Sequence, residues 1–441
     1  MAYKMEQILA QFMERKMDLP VLGAKLSFRG AKVCTGSARL FFSSDHFRSN
    51  VFGKLWMKAH VHSLRESLKS NDFVLTGRTT DGWKVKVYAL QCPYNAAKSE
   101  GEDVEIAFTP DLVEFTKSLP YKKPSEDKKF SYGLAYLGPI SEFIWTENST
   151  VETTRFGFTT FAGNRDWLSM EIDETKFLLF QNDTGGASLH IKTPECSIEE
   201  LEKCFDSFIN ALSLLLGRYV APYCKDLVVG KNQTLMLVPE PRRNKRSRSA
   251  LPPILHDGGV KEIDFLTCAY RFFKEESNKP LIWYLRMLWT GDESIWEINR
   301  ATAGICVELL ASYIVKENLQ ITGPVHMREV IQQAGREFGI KIFAKETEAW
   351  SEIRNGSCHW RGRNFKLKDE FQKYLCCVTL LHKLSAGLIG WKGTLIDFTA
   401  PDRRSMSFPY ETHISMPPAQ NNQGLQKPRR RGLKQQTPPK P

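Results

Sequence analysis

The spacing of apolar residues changes once along this chain, and that change limits the folds open to it. From about residue 22 to 195 apolar and polar residues tend to alternate, whereas from 260 onward apolar residues recur at three and four. Alternation puts every second side chain on one face of a strand, and the longer period builds one face of a helix. The predicted class is therefore α+β and multidomain: an antiparallel β-rich N-terminal domain followed by an all-α helical bundle. The clearest strand signal is Asp72–Tyr88, which alternates on both sides of Asp81-Gly82, a turn pair that favours a hairpin.

Residues 5–18 read as a short amphipathic helix ended by Leu19-Pro20. Further strands are expected at Ser37–Phe42, Val104–Phe108, Phe177–Phe180 and Ser188–Lys192, with irregular connections such as Tyr121–Asp127. A sandwich or barrel-like sheet suits this texture. Ser197-Ile-Glu-Glu200 is a capping box. The helix it opens carries Leu201, Cys204, Phe205, Phe208, Ile209, Leu212 and Leu215 on one face and stops at Gly217. Asp226–Val238 offers one more hairpin. The first domain is placed at 1–238, closed by the helix at 197–216.

Residues 239–258 are basic and flanked by proline, which marks a linker. Its Arg242, Arg243, Lys245, Arg246 and Arg248 could hold an RNA backbone, or they form a solvated loop. The helical bundle is placed at 259–395. Its helices are marked by Ile263, Leu266, Tyr270 and Phe273; by Leu281, Tyr284, Leu285 and Leu288; and by Ile298, Ile305, Leu309, Ser312 and Tyr313. Two more carry Val330, Ile331, Ala334 and Phe338, then Phe371, Leu375, Val378, Leu381 and Leu388. Residues 396–441 are expected to form a basic, largely disordered tail, rich in Pro, Gln, Lys and Arg beyond 417 and including Arg429-Arg430-Arg431.

A net charge of +11 points to a polyanionic partner, RNA before membrane, or else to lysines that are merely solvated. The ten cysteines form no CxxC pair and no zinc-ligand spacing, so reduced thiols in a cytoplasmic setting are expected, with no metal and no cofactor. The first residues lack the apolar core of a signal peptide, and no apolar run approaches the roughly eighteen residues of a membrane span.

The chemistry concentrates in Trp350–His359, where Arg354 precedes His359 by five residues with Asn355 beside the arginine. A guanidinium can stabilise charge building on phosphate oxygens, and an imidazole can move the proton of a ribose 2′-hydroxyl. The spacing alone is weak. Arg39 and His46 match it too, flanking Phe41-Phe42, and read as a decoy. Asn355-Gly356 is a turn signal that could end a helix and let Arg354 and His359 converge, because on an unbroken helix they would point about 140° apart. The other reading is a helix-terminal arginine and a surface histidine with no shared task. Glu308 lies among apolar residues in Ile305–Ala311, where a carboxylate needs a partner such as Arg354 or His359, unless it faces solvent. Cleavage through a cyclic phosphate needs both a base and an acid, so a symmetric dimer pairing two copies of His359 is expected.

The Arg354-Asn355…His359 pattern followed by a long helix resembles the HEPN superfamily, and the architecture is similar to that of the ApeA-like anti-phage HEPN proteins. Cys204–Arg218 looks like that family's connecting helix, and Leu388–Gly393 like the end of its last helix. The basic Arg361 and Arg363 and the long tail depart from the pattern and bear on substrate choice. The resemblance implies a metal-independent endoribonuclease of abortive infection, cutting single-stranded or loop RNA, with tRNA among the candidates. Arg354, His359 and Asn355 would form the site, Glu308 would match an acidic residue on an earlier helix, and control by a phage-encoded trigger is open. The rival expectation is a noncatalytic RNA- or protein-binding module whose bundle only dimerises.

Overall fold

A computed structural model describes residues 8, 11–12, 16–28, 31–42, 51–58, 73–88, 97–100, 103–108, 110, 112–118, 130–139, 147–155, 158–181, 186–238, 260–275, 281–282, 285, 296–319, 326–358, 367–396, 398 and 405–408. A large antiparallel sheet precedes a run of helices, as the change of period requires. Its strands are β1 (Asp18–Phe28), β2 (Ala31–Phe42), β3 (Val51–Lys58), β4 (Phe73–Arg78), β5 (Lys84–Tyr88), β6 (Ala97–Glu100), β7 (Asp103–Phe108) and β8 (Leu112–Ser118). They continue as β9 (Phe130–Pro139), β10 (Glu147–Arg155), β11 (Phe158–Ile172), β12 (Thr175–Gln181), β13 (Gly186–Pro194), β14 (Pro222–Val229) and β15 (Asn232–Leu237). The fifteen lie in the order β10-β11-β12-β13-β9-β14-β15-β8-β5-β4-β1-β2-β3-β7-β6.

The hairpin read from Asp81-Gly82 is β4–β5, pairing Leu75 with Val87, and Gly82 sits at φ +79°, where a side chain would be strained. Pro20, expected to end a helix, instead lies inside β1 opposite Arg39 of β2. Proline is tolerated there because β1 begins to pair with its other neighbour, β4, only at Leu22. Of the expected N-terminal helix, Ile8, Gln11 and Phe12 are helical, and the strand has already begun at Asp18.

Two cores divide the sheet. One gathers Leu19, Val21, Leu40, Leu75, Val87, Val113 and Phe115 from β1, β2, β4, β5 and β8, with Ile8 and Phe12 against them. None of its described members comes from a helix of the C-terminal half. The other core lies under β9 and β11–β13 and runs on into the helices. The β14–β15 hairpin joins the two: Cys224, Leu235 and Leu237 belong to the first core, and Leu227 and Met236 point the other way into the second.

The helices whose bounds are described are α1 (Ile198–Leu216), α2 (Val260–Lys274), α3 (Trp296–Leu319), α4 (Met327–Glu337), α5 (Ala344–Cys358) and α6 (Leu367–Leu388), and Leu281, Ile282 and Leu285 are helical as well. The capping box of α1 forms in both directions, and Gly217 ends the helix at φ 61°. Its apolar face lies on the sheet, where Phe208 stacks on Phe177 at 4.5 Å. Gly133 of β9 is required by the same contact, since a Cβ there would fall 2.0 Å from the Phe205 ring. Tyr270 of α2 also meets Phe177, edge-on at 5.0 Å, and Phe265 meets Trp391, just past α6, at 5.4 Å. An aromatic chain thus carries one core from the sheet, through α1 and α2, to the end of α6.

Two helix faces differ from expectation. On α3 the buried residues include Ala303, Cys306, Val307, Leu310, Ala311 and Ile314, while Ile305, Leu309, Ser312 and Tyr313 are half-buried. The helix is apolar nearly all round, so its period does not select a face. Phe371, expected in the core of α6, is 43% exposed. The folded part also runs beyond the boundary drawn at 396. A small sheet pairs Gly393–Ile396 (β16) with Ser405–Phe408 (β17), and buried Phe398 packs on His382 at 5.4 Å. The remaining tail, 409–441, and the linker, 239–258, lie outside the described residues. No described helix is long and apolar enough to cross a membrane.

Candidate functional site

The site is built where α3 and α5 cross. Gly304 lets the two helices touch: a Cβ on it would lie 3.2 Å from Ile353 Cγ2 and 3.7 Å from the Arg354 Cα. Buried Trp350, one turn earlier on α5, donates its indole N–H to the Gly304 carbonyl at 2.9 Å. One turn further along α3 comes Glu308, which accepts a hydrogen bond from Arg354 Nε at 2.9 Å. Arg300, Gly304 and Glu308 therefore form a single stripe at four-residue spacing, directed at α5 and α6.

The partner expected for Glu308 is thus Arg354, and the pair is half-exposed, with side-chain accessibilities of 29% and 36%. At that exposure the pair adds at most about 1 kcal/mol to stability. Its larger effect is to fix where the guanidinium sits. Asn355, next along, is exposed, and its amide donates to Ser351 Oγ at 3.4 Å.

Asn355-Gly356 does not end the helix. The α5 segment continues to Cys358, so the turn preference of that dipeptide is overridden where the helix is anchored by Trp350 and Ile353. His359 follows immediately and lies outside the described residues, as do Arg361 and Arg363. Arg242, Arg243, Lys245 and Arg246 do as well. Of the residues expected at the site, the described ones are Arg354, Asn355 and Glu308, and the fold brings Arg354 and Glu308 into contact.

Around this crossing is a set of ion pairs that the sequence reading did not anticipate. Arg300 meets Glu370 of α6 at 2.5 Å, and Lys373 contacts both Glu370 at 2.7 Å and Glu352 of α5 at 2.6 Å. Partial burial pulls the Lys373 ammonium down, but the hydrogen bonds to Glu352 and Glu370 outweigh it, and its pKa lies above that of an ordinary lysine. Deeper in, Lys383 of α6 and Glu346 of α5 pair at 2.6 Å with almost no exposure. The second oxygen of Glu346 accepts the backbone N–H of Phe343 at the start of α5. Both ends of α5 are held by charge to other helices. Arg300 and Glu308, eight residues and so about two turns apart on α3, were a readable signal for the first set; Lys383 stands beside His382 in a largely apolar stretch, and nothing local says which residue it meets.

Of the second spacing match, Arg39 is described and has a partner of its own. Arg39 is exposed on β2, where its guanidinium grips the Asp18 carboxylate through two hydrogen bonds, and the ion pair raises its pKa further. That carboxylate is the first residue of β1. His46 lies outside the described residues. No group of three or more His, Cys, Asp or Glu side chains among the described residues could hold a metal ion. Cys196, Cys204, Cys224, Cys268 and Cys377 are free thiols. Comparison of the chain with protein-family models, with curated proteins and with solved structures yields no match.

Proposed function

We propose that the helical half is an endoribonuclease of the HEPN type, with Arg354, Asn355 and His359 at the end of α5 as its site. The observation that carries this reading is the fixed guanidinium: Glu308 holds Arg354 by Nε at the last turns of the helix that leads directly into His359. In this reading Arg354 bears the negative charge that grows on the phosphate, and Asn355 positions the phosphate. His359 takes the proton from the ribose 2′-hydroxyl. The 2′-oxygen bonds to phosphorus, the bond to the 5′-oxygen breaks, and the departing oxygen takes a proton from an imidazolium. The products are a 2′,3′-cyclic phosphate and a 5′-hydroxyl. A twofold dimer would bring the second His359 as that acid. Arg361 and Arg363, with the linker cations Arg242, Arg243, Lys245 and Arg246, would grip the RNA backbone. The role in anti-phage defence, restrained or triggered through the β half, follows the same resemblance.

The test is cleavage of a mixed-sequence RNA in EDTA by wild type, His359→Ala and Arg354→Ala. The proposal expects cyclic-phosphate ends from the wild type alone; cleavage by all three, or by none, removes it.

One observation favours a second reading. Glu308 already neutralises Arg354, which is also how a clip between two helices is built. A noncatalytic binding module would need only that clip, and would leave RNA uncut while both variants still bind their partner.

A further inference from the structure

The sheet face opposite α1 has its own chemistry. Along β12, β13 and β9 one face is apolar and covered by α1, with Phe177, Leu179, Leu189, Ile191 and Ala135 buried. On the other face Lys176 lies opposite Lys192, and Lys192 opposite Tyr132, in one row across the three strands. Phe130 flanks that row opposite Pro194. Phe180 meets His190 at a centroid distance of 4.9 Å. Lys192 Nζ lies 4.2 Å from the centre of the Phe130 ring and 5.5 Å from that of Tyr132.

Neither described core includes these rings, and Phe130, Tyr132 and Phe180 are not among the half-buried residues packed against one. Phe130 is 36% exposed. Lys192 contacts two rings, and the same row continues to Glu171 of β11, opposite exposed Lys176 and joined to it at 3.5 Å. Aromatic faces interleaved with ammonium groups, here exposed Phe130 and Lys176 beside half-buried Tyr132 and Lys192, offer stacking to bases and charge to phosphates at once. A duplex, whose bases are already stacked, can use only the charge.

We infer that this face of β9, β12 and β13 binds a short stretch of single-stranded RNA, with bases on Phe130 and Tyr132 and phosphates beside Lys192 and Lys176. The inference takes RNA as the polyanion from the function proposed above, but it concerns binding by the β half and needs no cleavage. It would give the β domain a direct part in choosing RNA.

The experiment is fluorescence anisotropy of the full chain with a labelled, uncleavable 2′-O-methyl uridine dodecamer. Phe130→Ala should weaken binding about tenfold, the loss expected for one stacked base. Lys192→Gln should weaken it and lower the slope of log affinity against log salt by about 0.7, one phosphate contact on a single strand. Phe130→Trp should restore affinity, and a duplex of equal length should compete poorly. Arg354→Ala should retain Phe130-dependent binding while losing cleavage, so failure of the nuclease reading and failure of this one remain distinct. Unchanged affinity in both Phe130→Ala and Lys192→Gln would overturn the inference. So would loss of sedimentation with phosphatidylserine vesicles in those variants while RNA affinity stays at the wild-type level.

Discussion

Arg354 Nε donates to Glu308 Oε2 at 2.9 Å, across two helices that approach closely because residue 304 has no side chain. The contact joins positions forty-six residues apart in the chain and fixes the direction of the guanidinium. If Glu308 acts by aiming Arg354, it is a positioning residue. Glu308→Gln should leave the melting transition nearly unchanged, lower kcat by about tenfold and leave KM almost as it was. Glu308→Asp should recover part of that rate. A fall in stability with kcat intact would make the pair a clip and nothing more.

Gly304 gives a graded test of the same crossing. Gly304→Ala gains about 1 kcal/mol of helix propensity but presses a methyl to 3.2 Å from buried Ile353, so thermal stability should change little. Gly304→Val forces the helices apart and should cost about 1–3 kcal/mol in urea unfolding, with RNA cleavage falling further than stability.

The Lys383–Glu346 pair is almost completely buried, so removing one partner strands a charge in the core. Lys383→Met should destabilise the protein by about 3–5 kcal/mol. The double variant Lys383→Met with Glu346→Leu should recover most of that, less the roughly 1 kcal/mol of the lost contact to the Phe343 N–H at the helix start. Denaturant titration of the three proteins gives the comparison.

Burial pushes the Cys224 thiol far up, helped by the nearby charge of Asp226, and burial beside Cys376 does the same to Cys377. Both stay protonated in the fold at pH values where the unfolded thiols ionise. A raised pKa contributes stability that is complete below the unfolded value, about 8.5, and is lost as pH rises above it. Stability should therefore decline from about pH 8.5 upward, and less steeply in Cys224→Ser and Cys377→Ser once each variant is normalised to its own neutral-pH value. Iodoacetamide at pH 8 should label neither residue in the native protein and both in urea, read by mass spectrometry.

Much of the fold could be read from local pattern. The hairpin at Asp81-Gly82, the capping box at Ser197, the stop at Gly217 and the buried face of α4 at Val330, Ile331 and Ala334 all stand in the structure. Each is decided by residues within a few positions of one another, since turn conformation, end capping and amphipathic period act over that range.

The failures share a different cause. Pro20 sits in a strand because its neighbour on one side begins two residues later, which β4 decides. The buried face of α3 is chosen by α5 and α6, not by its own nearly uniform apolar surface. Asn355-Gly356 stays helical because Trp350 and Ile353 anchor the preceding turns against α3. The sequence by itself determined where strands give way to helices and which residue types stood available for phosphate chemistry. The tertiary structure alone decided that Glu308 meets Arg354 and that Lys383 meets Glu346. Both pairs need side chains brought together from distant segments, and only the packing of whole helices specifies that distance.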